Sequence, residues 1–186
     1  MLGERFDQAL LLAASLHRAQ VRKVSGVPYV AHLLGVASLA LEHGADEDQA
    51  IAALLHDAVE DQGGLPTAAR IRDQFGARVH DLVMALTDTS EASKPPWRAR
   101  KERYLEHLRS APADVLLLSA CDKLYNARAI VGDHARVGAS LWSRFTGGRD
   151  GTLWYYRELA AIFRARGPQR LAALLGELAD RMQTLA

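Results

Sequence analysis

The chain has 186 residues, 49% of them hydrophobic and 24% charged, the make-up of an ordinary globular protein long enough for one domain with a substantial core. Its 23 basic and 22 acidic residues leave a net charge of +1, which argues against a general nucleic-acid binder. No apolar run approaches the roughly 18 residues of a membrane span. The opening MLGERFDQAL is not a basic-then-apolar leader, and the single cysteine, Cys121, excludes an internal disulfide and fits a reducing, cytoplasmic compartment.

Apolar spacing predicts helices almost throughout. Phe6, Leu10, Ala13, Ala14 and Leu16 mark a first amphipathic helix running toward Val21. The turn SGVP (Ser25–Pro28) follows, and Pro28 is placed to open a second helix that ends near Gly44. Asp46 is an N-cap candidate with Gln49 as its capping-box partner, starting a third helix that carries IAALLHDAVED (Ile51–Asp61). QGGLP (Gln62–Pro66) breaks the chain; Thr67 is then a cap for a helix running to Phe75 and stopped by Gly76. Val79, Leu82, Val83 and Leu86 mark the next helix, and TDTSEASKPP (Thr87–Pro96) is the longest polar loop. A charged helix, WRARKERYLEHLRS, follows. Pro112 opens an apolar helix reaching Ala129, and the stretch to Gly151 reads as less regular. Two helices, at about Thr152–Arg166 and Pro168–Leu185, close the chain. With no period-2 strand in view, the expected fold is all-α, a single helical-bundle domain over 1–186 with its core at roughly 5–165. The segments 87–96 and 145–151 are candidates for bordering a site, or plain surface connections.

The run at 51–61 carries the strongest chemical signal. Read as one helix, it places His56 beside Glu60, and Asp57 beside Glu60 and Asp61. Like charges at these spacings cost about 0.2–0.5 kcal/mol per pair, and burial makes the conflict worse unless a proton or cation neutralises it. The cluster also has the wrong sign for a helix C-terminus. A bound divalent metal resolves the conflict; a solvated helix end is the plainer alternative. Two further apolar helices carry an ionisable group where core is expected: His32 in PYVAHLLGVA and Asp122 in LLLSACDKLYNA. Taken singly, His32 reads as a hydrogen-bonded core histidine and Asp122 as a buried carboxylate paired with Lys123 or Arg128. Taken together, one shared metal accounts for all of them. Two imidazoles and two carboxylates without thiolate argue against structural zinc and suit Mn²⁺, or a similar ion such as Fe²⁺.

The stretches HRAQVRKVSGVPYVAHLLGVA (His17–Ala37), AALLHDAVED (Ala52–Asp61), FGARVHDLVMALTD (Phe75–Asp88) and CDKLYNARAI (Cys121–Ile130), with a weaker fifth in GTLWYYRELA (Gly151–Ala160), cover roughly residues 10–160. In these the chain resembles the HD-type hydrolase domain of the RelA/SpoT proteins, most closely the small stand-alone alarmone hydrolases related to the metazoan SpoT homologue. The resemblance implies an all-helical enzyme that hydrolyses the 3′-diphosphate of (p)ppGpp with Mn²⁺, releasing pyrophosphate. It implies His32, His56, Asp57 and Asp122 as metal ligands and Glu60 and Asp61 as the catalytic acidic pair. Arg22, Lys23, Ser25 and Asn126 would line the nucleotide site. The family's synthetase domain is expected to be absent. Of the basic helix 97–110, Lys101 is the candidate phosphate contact, the rest of its charge reading as a solvated face. Tyr155 and Tyr156 are placed either to stack near a base or to fill core. Leu33, Val24, Ser119 and Ala129 depart from the family pattern, the last two standing where lysine and threonine are common. Those departures keep open another nucleotide substrate, such as ppApp or NADPH, and a non-catalytic nucleotide-sensing module. The expected partner is a small nucleotide, with no nucleic acid and no membrane.

Overall fold

A computed structural model describes residues 1–89 and 95–185. The chain is all-α. Among the described residues there is no strand, and the one extended pairing is an isolated antiparallel bridge between Val21 and Pro28. Two compact units divide the chain. The first holds residues 1–22 and the stretch from Val27 up to the undescribed segment; the second holds 23–26 and the chain from Pro95 onward.

In the first unit the helices are α1 (Glu4–Leu16), α2 (Val30–Glu42), α3 (Glu47–Leu55), α4 (Ala58–Asp61), α5 (Leu65–Phe75) and α6 (Ala77–Leu86). The centre is α3, which packs against α1, α2 and α6. Its residues Ala50 to Leu55 are all buried, so this helix has no polar face to turn to water, the pattern of a core helix. Ala9, Leu12 and Ala13 from α1, Leu33, Val36 and Ala40 from α2, and Val79 and Val83 from α6 are buried with it. Each fully buried large aliphatic side chain contributes about 1.5–3 kcal/mol of transfer free energy. The start of α3 is the predicted one: the Gln49 N–H donates to Asp46 Oδ1 at 3.0 Å and the Asp46 N–H to Gln49 Oε1 at 2.8 Å, a complete capping box.

Three expectations in this unit are corrected. Helix α1 stops at Leu16, not near Val21, because the chain turns into the bridged segment, with the Tyr29 N–H donating to the Gln20 carbonyl at 2.9 Å. The single helix expected through residue 61 breaks at His56 and Asp57, and α4 begins afresh at Ala58. Thr67 is not an N-cap: α5 starts two residues earlier behind Gly64, with Pro66 in its first turn, and the Thr67 hydroxyl donates back to the Gln62 carbonyl. Of the predicted loop 87–96, residues 90–94 lie outside the described residues.

The second unit holds α7 (Trp97–Ser110), α8 (Ala113–Val137), a 3₁₀ segment (Gly138–Arg144), α9 (Gly148–Arg166) and α10 (Gln169–Gln183). Helix α8 packs against α9, α10 and the 3₁₀ segment, with Leu116, Leu118 and Leu124 fully buried. It runs eight residues past the expected end at Ala129, since Ile130 and Val131 extend its buried face and Gly132 is carried inside it. An interior glycine costs about 1 kcal/mol relative to alanine, which packing along a 25-residue helix offsets. The segment expected to be irregular up to Gly151 is instead largely helical. Its glycines serve contact: a Cβ on Gly147 would lie 2.6 Å from the Trp97 ring, and one on Gly151 3.1 Å from it.

The Asp46 cap yields a test. Burial pushes this carboxyl up, but the Gln49 N–H and the Arg78 guanidinium outweigh it and hold Asp46 below the usual carboxylate value. Asp46→Ala is expected to cost about 1 kcal/mol of stability in denaturant melts near pH 7. A depressed folded-state value gives stability that is present above the unfolded value and lost as pH falls through the folded one. The difference between variant and wild type therefore narrows at acid pH, below the ordinary carboxylate range.

Candidate metal centre

Helix α3 ends by delivering His56 and Asp57 from the most buried part of the first unit. His56 is 3% exposed and His32, on the first turn of α2, is 1% exposed. Asp57 takes φ −96° and ψ −2°, the sparsely populated bridge region in which many active-site residues sit. It stands as the N-cap of α4 without making a side-chain cap bond. The break also removes the macrodipole objection, since Glu60 and Asp61 belong to a new helical turn and not to the C-terminus of α3.

Three donor atoms meet at one point. His56 Nε2 lies 3.0 Å and His32 Nε2 3.4 Å from Asp57 Oδ2, and the two Nε2 atoms are 3.2 Å apart. His56 Nδ1 lies 2.8 Å from the Ala53 carbonyl. A carbonyl only accepts, so Nδ1 carries a proton and Nε2 is the nitrogen turned toward the cluster. Acceptor atoms held this close repel unless a proton or a cation lies between them. The donor set, with ligand atoms all within 4.8 Å of one another, therefore suits a divalent metal with mixed N/O preference. The backbone bond on the distal nitrogen is the outer support usual for a metal-ligating histidine.

The outer contacts include residues that the sequence reading passed over. The Tyr29 hydroxyl donates to Asp57 Oδ2 at 2.6 Å. The Tyr29 ring stacks on His17 at 5.3 Å between centroids and 17° between planes, and the Arg22 guanidinium lies 5.8 Å from the ring centre. Tyr29 precedes His32 by three residues, a helical-face spacing that was available as a signal. Gln20 was not findable in that way. Its amide donates to Asp61 Oδ2 at 2.8 Å across 41 residues of sequence.

The other site residues are distributed as follows. Glu60 is half-buried and Asp61 exposed, both on α4. Arg22 is half-buried, and its N–H closes the turn onto the Val27 carbonyl at 2.8 Å. Lys23 is exposed and Ser25 half-buried. In the second unit Asp122, 6% exposed, has Oδ2 2.5 Å from Lys123 Nζ, the pairing that the plainer sequence reading anticipated, and Oδ1 accepting from Asn126 Nδ2 at 2.6 Å. Burial alone would push the Lys123 ammonium down, but the adjacent Asp122 carboxylate outweighs it and holds Lys123 well above its usual value. Lys101 lies 5.2 Å from the ring centre of Tyr155. Tyr155 and Tyr156 are both core residues, and burial pushes the Tyr155 hydroxyl well up. Ser119 is fully buried and shares a 2.9 Å hydrogen bond with the Tyr104 hydroxyl.

An all-helical chain with a His/His-Asp cluster at the end of a core helix has the features of an HD domain, and a family model of that description matches residues 9–153. The GTP pyrophosphokinase of Myxococcus xanthus is 31% identical over 94% of this chain, which covers 24% of that protein. Guanosine-3′,5′-bis(diphosphate) 3′-pyrophosphohydrolase MESH1 of Xenopus tropicalis is 38% identical over 66% of this chain and 70% of its own length. A solved structure described as a metazoan ortholog of SpoT that hydrolyzes ppGpp superposes with a TM-score of 0.80 at 27% identity, covering 100% of this chain and 99% of that one. The chain belongs to the HD-domain family, within its RelA/SpoT hydrolase group. It spans a quarter or less of the long relatives, 24% of the Myxococcus protein and 18% of the Aquifex aeolicus pyrophosphohydrolase.

If Tyr29 orients the metal-facing oxygen of Asp57, Tyr29→Phe should weaken divalent-metal binding by about tenfold to a hundredfold, the usual range for outer-shell partners. Titration calorimetry with Mn²⁺ on the apo protein checks this. Unchanged affinity would mean that the Tyr29 hydroxyl does not set the orientation of Asp57.

Proposed function

We propose that the protein is a Mn²⁺-dependent guanosine-3′,5′-bis(diphosphate) 3′-pyrophosphohydrolase, which cleaves the 3′-diphosphate of (p)ppGpp and releases pyrophosphate. The observation that carries the reading is the meeting of His32 Nε2, His56 Nε2 and Asp57 Oδ2 on one point, in a chain whose relatives include proteins named for that reaction. In this reading 1–186 acts as one catalytic domain, a proposal supported by the family match over residues 9–153, and Asp122 is the fourth metal ligand that the family resemblance implies. A cytoplasmic location belongs with the same reading.

Mn²⁺ bound by His32, His56, Asp57 and Asp122 would lower the pKa of a coordinated water and polarise a phosphoryl oxygen. Glu60 takes a proton from the attacking water, and Asp61 shares that role or orients the exchange. Asn126, through its bond to Asp122 Oδ1, links the metal carboxylate to the nucleotide-lining set. Arg22 is suited to bidentate phosphate recognition, and Lys23, Lys101 and Ser25 add point contacts to the substrate's anionic groups.

A second reading has one observation in its favour. The Ser119 hydroxyl is committed to Tyr104 in the core, at a position where the family commonly carries a lysine. Loss of that cation would relax the guanosine preference toward ppApp or NADPH.

Pyrophosphate release from ppGpp, ppApp and NADPH, with Mn²⁺ and with chelator, tests both readings. Metal-dependent turnover of ppGpp well above the others is expected, and turnover of another nucleotide alone would favour the second. Asp57→Ala should abolish metal binding and activity together. Glu60→Gln should keep the metal and lower kcat by about a hundredfold or more, the range for loss of general acid–base catalysis; a variant without metal would make Glu60 a ligand.

A further inference from the structure

The Gln20 amide oxygen accepts from two donors, His17 Nδ1–H at 2.7 Å and Gln62 Nε2 at 2.6 Å, while its nitrogen donates to Asp61 Oδ2 at 2.8 Å. This pattern fixes the amide's orientation. Turned over, Gln20 would set its carbonyl against the Asp61 carboxylate, which only accepts; the Gln62 amide and the His17 tautomer follow from that orientation. His17 is held as firmly: it is 2% exposed and stacked on Tyr29. A phenylalanine would supply the same stacking. What imidazole adds is the Nδ1–H, and the cost is a buried Nε2 with no hydrogen-bond partner among the described residues, an expense native cores rarely carry without a use.

We propose that Gln20 is a positioning residue for the reaction, holding Asp61 in its working orientation through an amide locked by His17 and Gln62. The inference rests on the catalytic role proposed for Asp61. Asp61 is exposed and sits on a helix of four residues, so its own element gives it little rigidity. The chain Asp61–Gln20–His17 ties it to a buried ring. That ring stacks on Tyr29, which holds Asp57, so one short segment, 17–29, supports both the metal-facing carboxylate and the acidic pair beyond it.

The test is a double-mutant cycle of Gln20→Met and Asp61→Asn, read by pyrophosphate release from ppGpp with Mn²⁺. Gln20→Met should lower kcat by about tenfold to a hundredfold, with KM and calorimetric Mn²⁺ affinity unchanged. In the Asp61→Asn background the same change should cost almost nothing more, because two residues acting as a unit are non-additive. Gln20→Glu keeps the acceptor for His17 and Gln62 but sets a carboxylate against Asp61; the acid limb of its pH–rate profile should move to higher pH. Additive losses in the cycle, or loss of metal binding with Gln20→Met, would overturn the proposal and leave Gln20 a merely structural tie. An Asp61→Asn variant as active as wild type would instead overturn the catalytic role of Asp61, and the inference with it. If the wild type releases no pyrophosphate from ppGpp, the proposed function fails first. The ¹³C resonance of the Asp61 carboxyl then decides: displaced by Gln20→Met, it supports the contact, and unmoved, it overturns it.

Discussion

Two imidazole nitrogens and a carboxylate oxygen lie within 3.4 Å of one another, and much of the first unit serves to keep them there. With the two nitrogens unprotonated, these three atoms are acceptors that repel one another. The arrangement persists because the groups are anchored on α2 and at the end of α3, a helix buried on every side over its last six residues. Moving His56 away would mean unpacking Ala50 to Leu55 from α1, α2 and α6. Burial therefore holds the three atoms together, and the resulting donor set suits a divalent cation.

The outer supports follow a graded order. His56 is fixed by a backbone carbonyl one turn back, Asp57 by the Tyr29 hydroxyl, and Asp61 by Gln20. Rigid elements carry the three convergent donor atoms, and Gln20 and Tyr29, at the two ends of the bridged segment, orient carboxylates. In the second unit Asp122 is likewise set by its own helix, with Lys123 and Asn126 each holding one oxygen. A carboxylate restrained at both oxygens does not rotate freely.

Much of this was legible in the sequence because it rests on short-range rules. Asp46 and Gln49 form a capping box by spacing alone, the charged helix 97–110 begins and ends where its pattern does, and ionisable residues interrupting apolar runs marked His32 and His56, which converge with Asp57. The misses are long-range or cooperative. Nothing local says that the helix carrying HDAVED breaks after Leu55, since His56 and Asp57 are tolerable helix residues. Gln20 reads as an ordinary polar residue until folding brings Asp61 to it. The stretch after Ala129 reads as less regular until the packing of Ile130 and Val131 is known. Thr67 looked like a cap because Gly64 and Pro66 were counted as loop and not as the start of α5.

The account stands on whether the convergent point binds a metal, and diffraction answers that most directly. Crystals soaked in Mn²⁺ and measured at the manganese absorption edge should show an anomalous peak bonded to His32 Nε2, His56 Nε2 and an oxygen of Asp57, at distances near 2.0–2.2 Å as for N/O ligation of first-row ions. A peak bound elsewhere, or none with the three side chains unmoved, would contradict it.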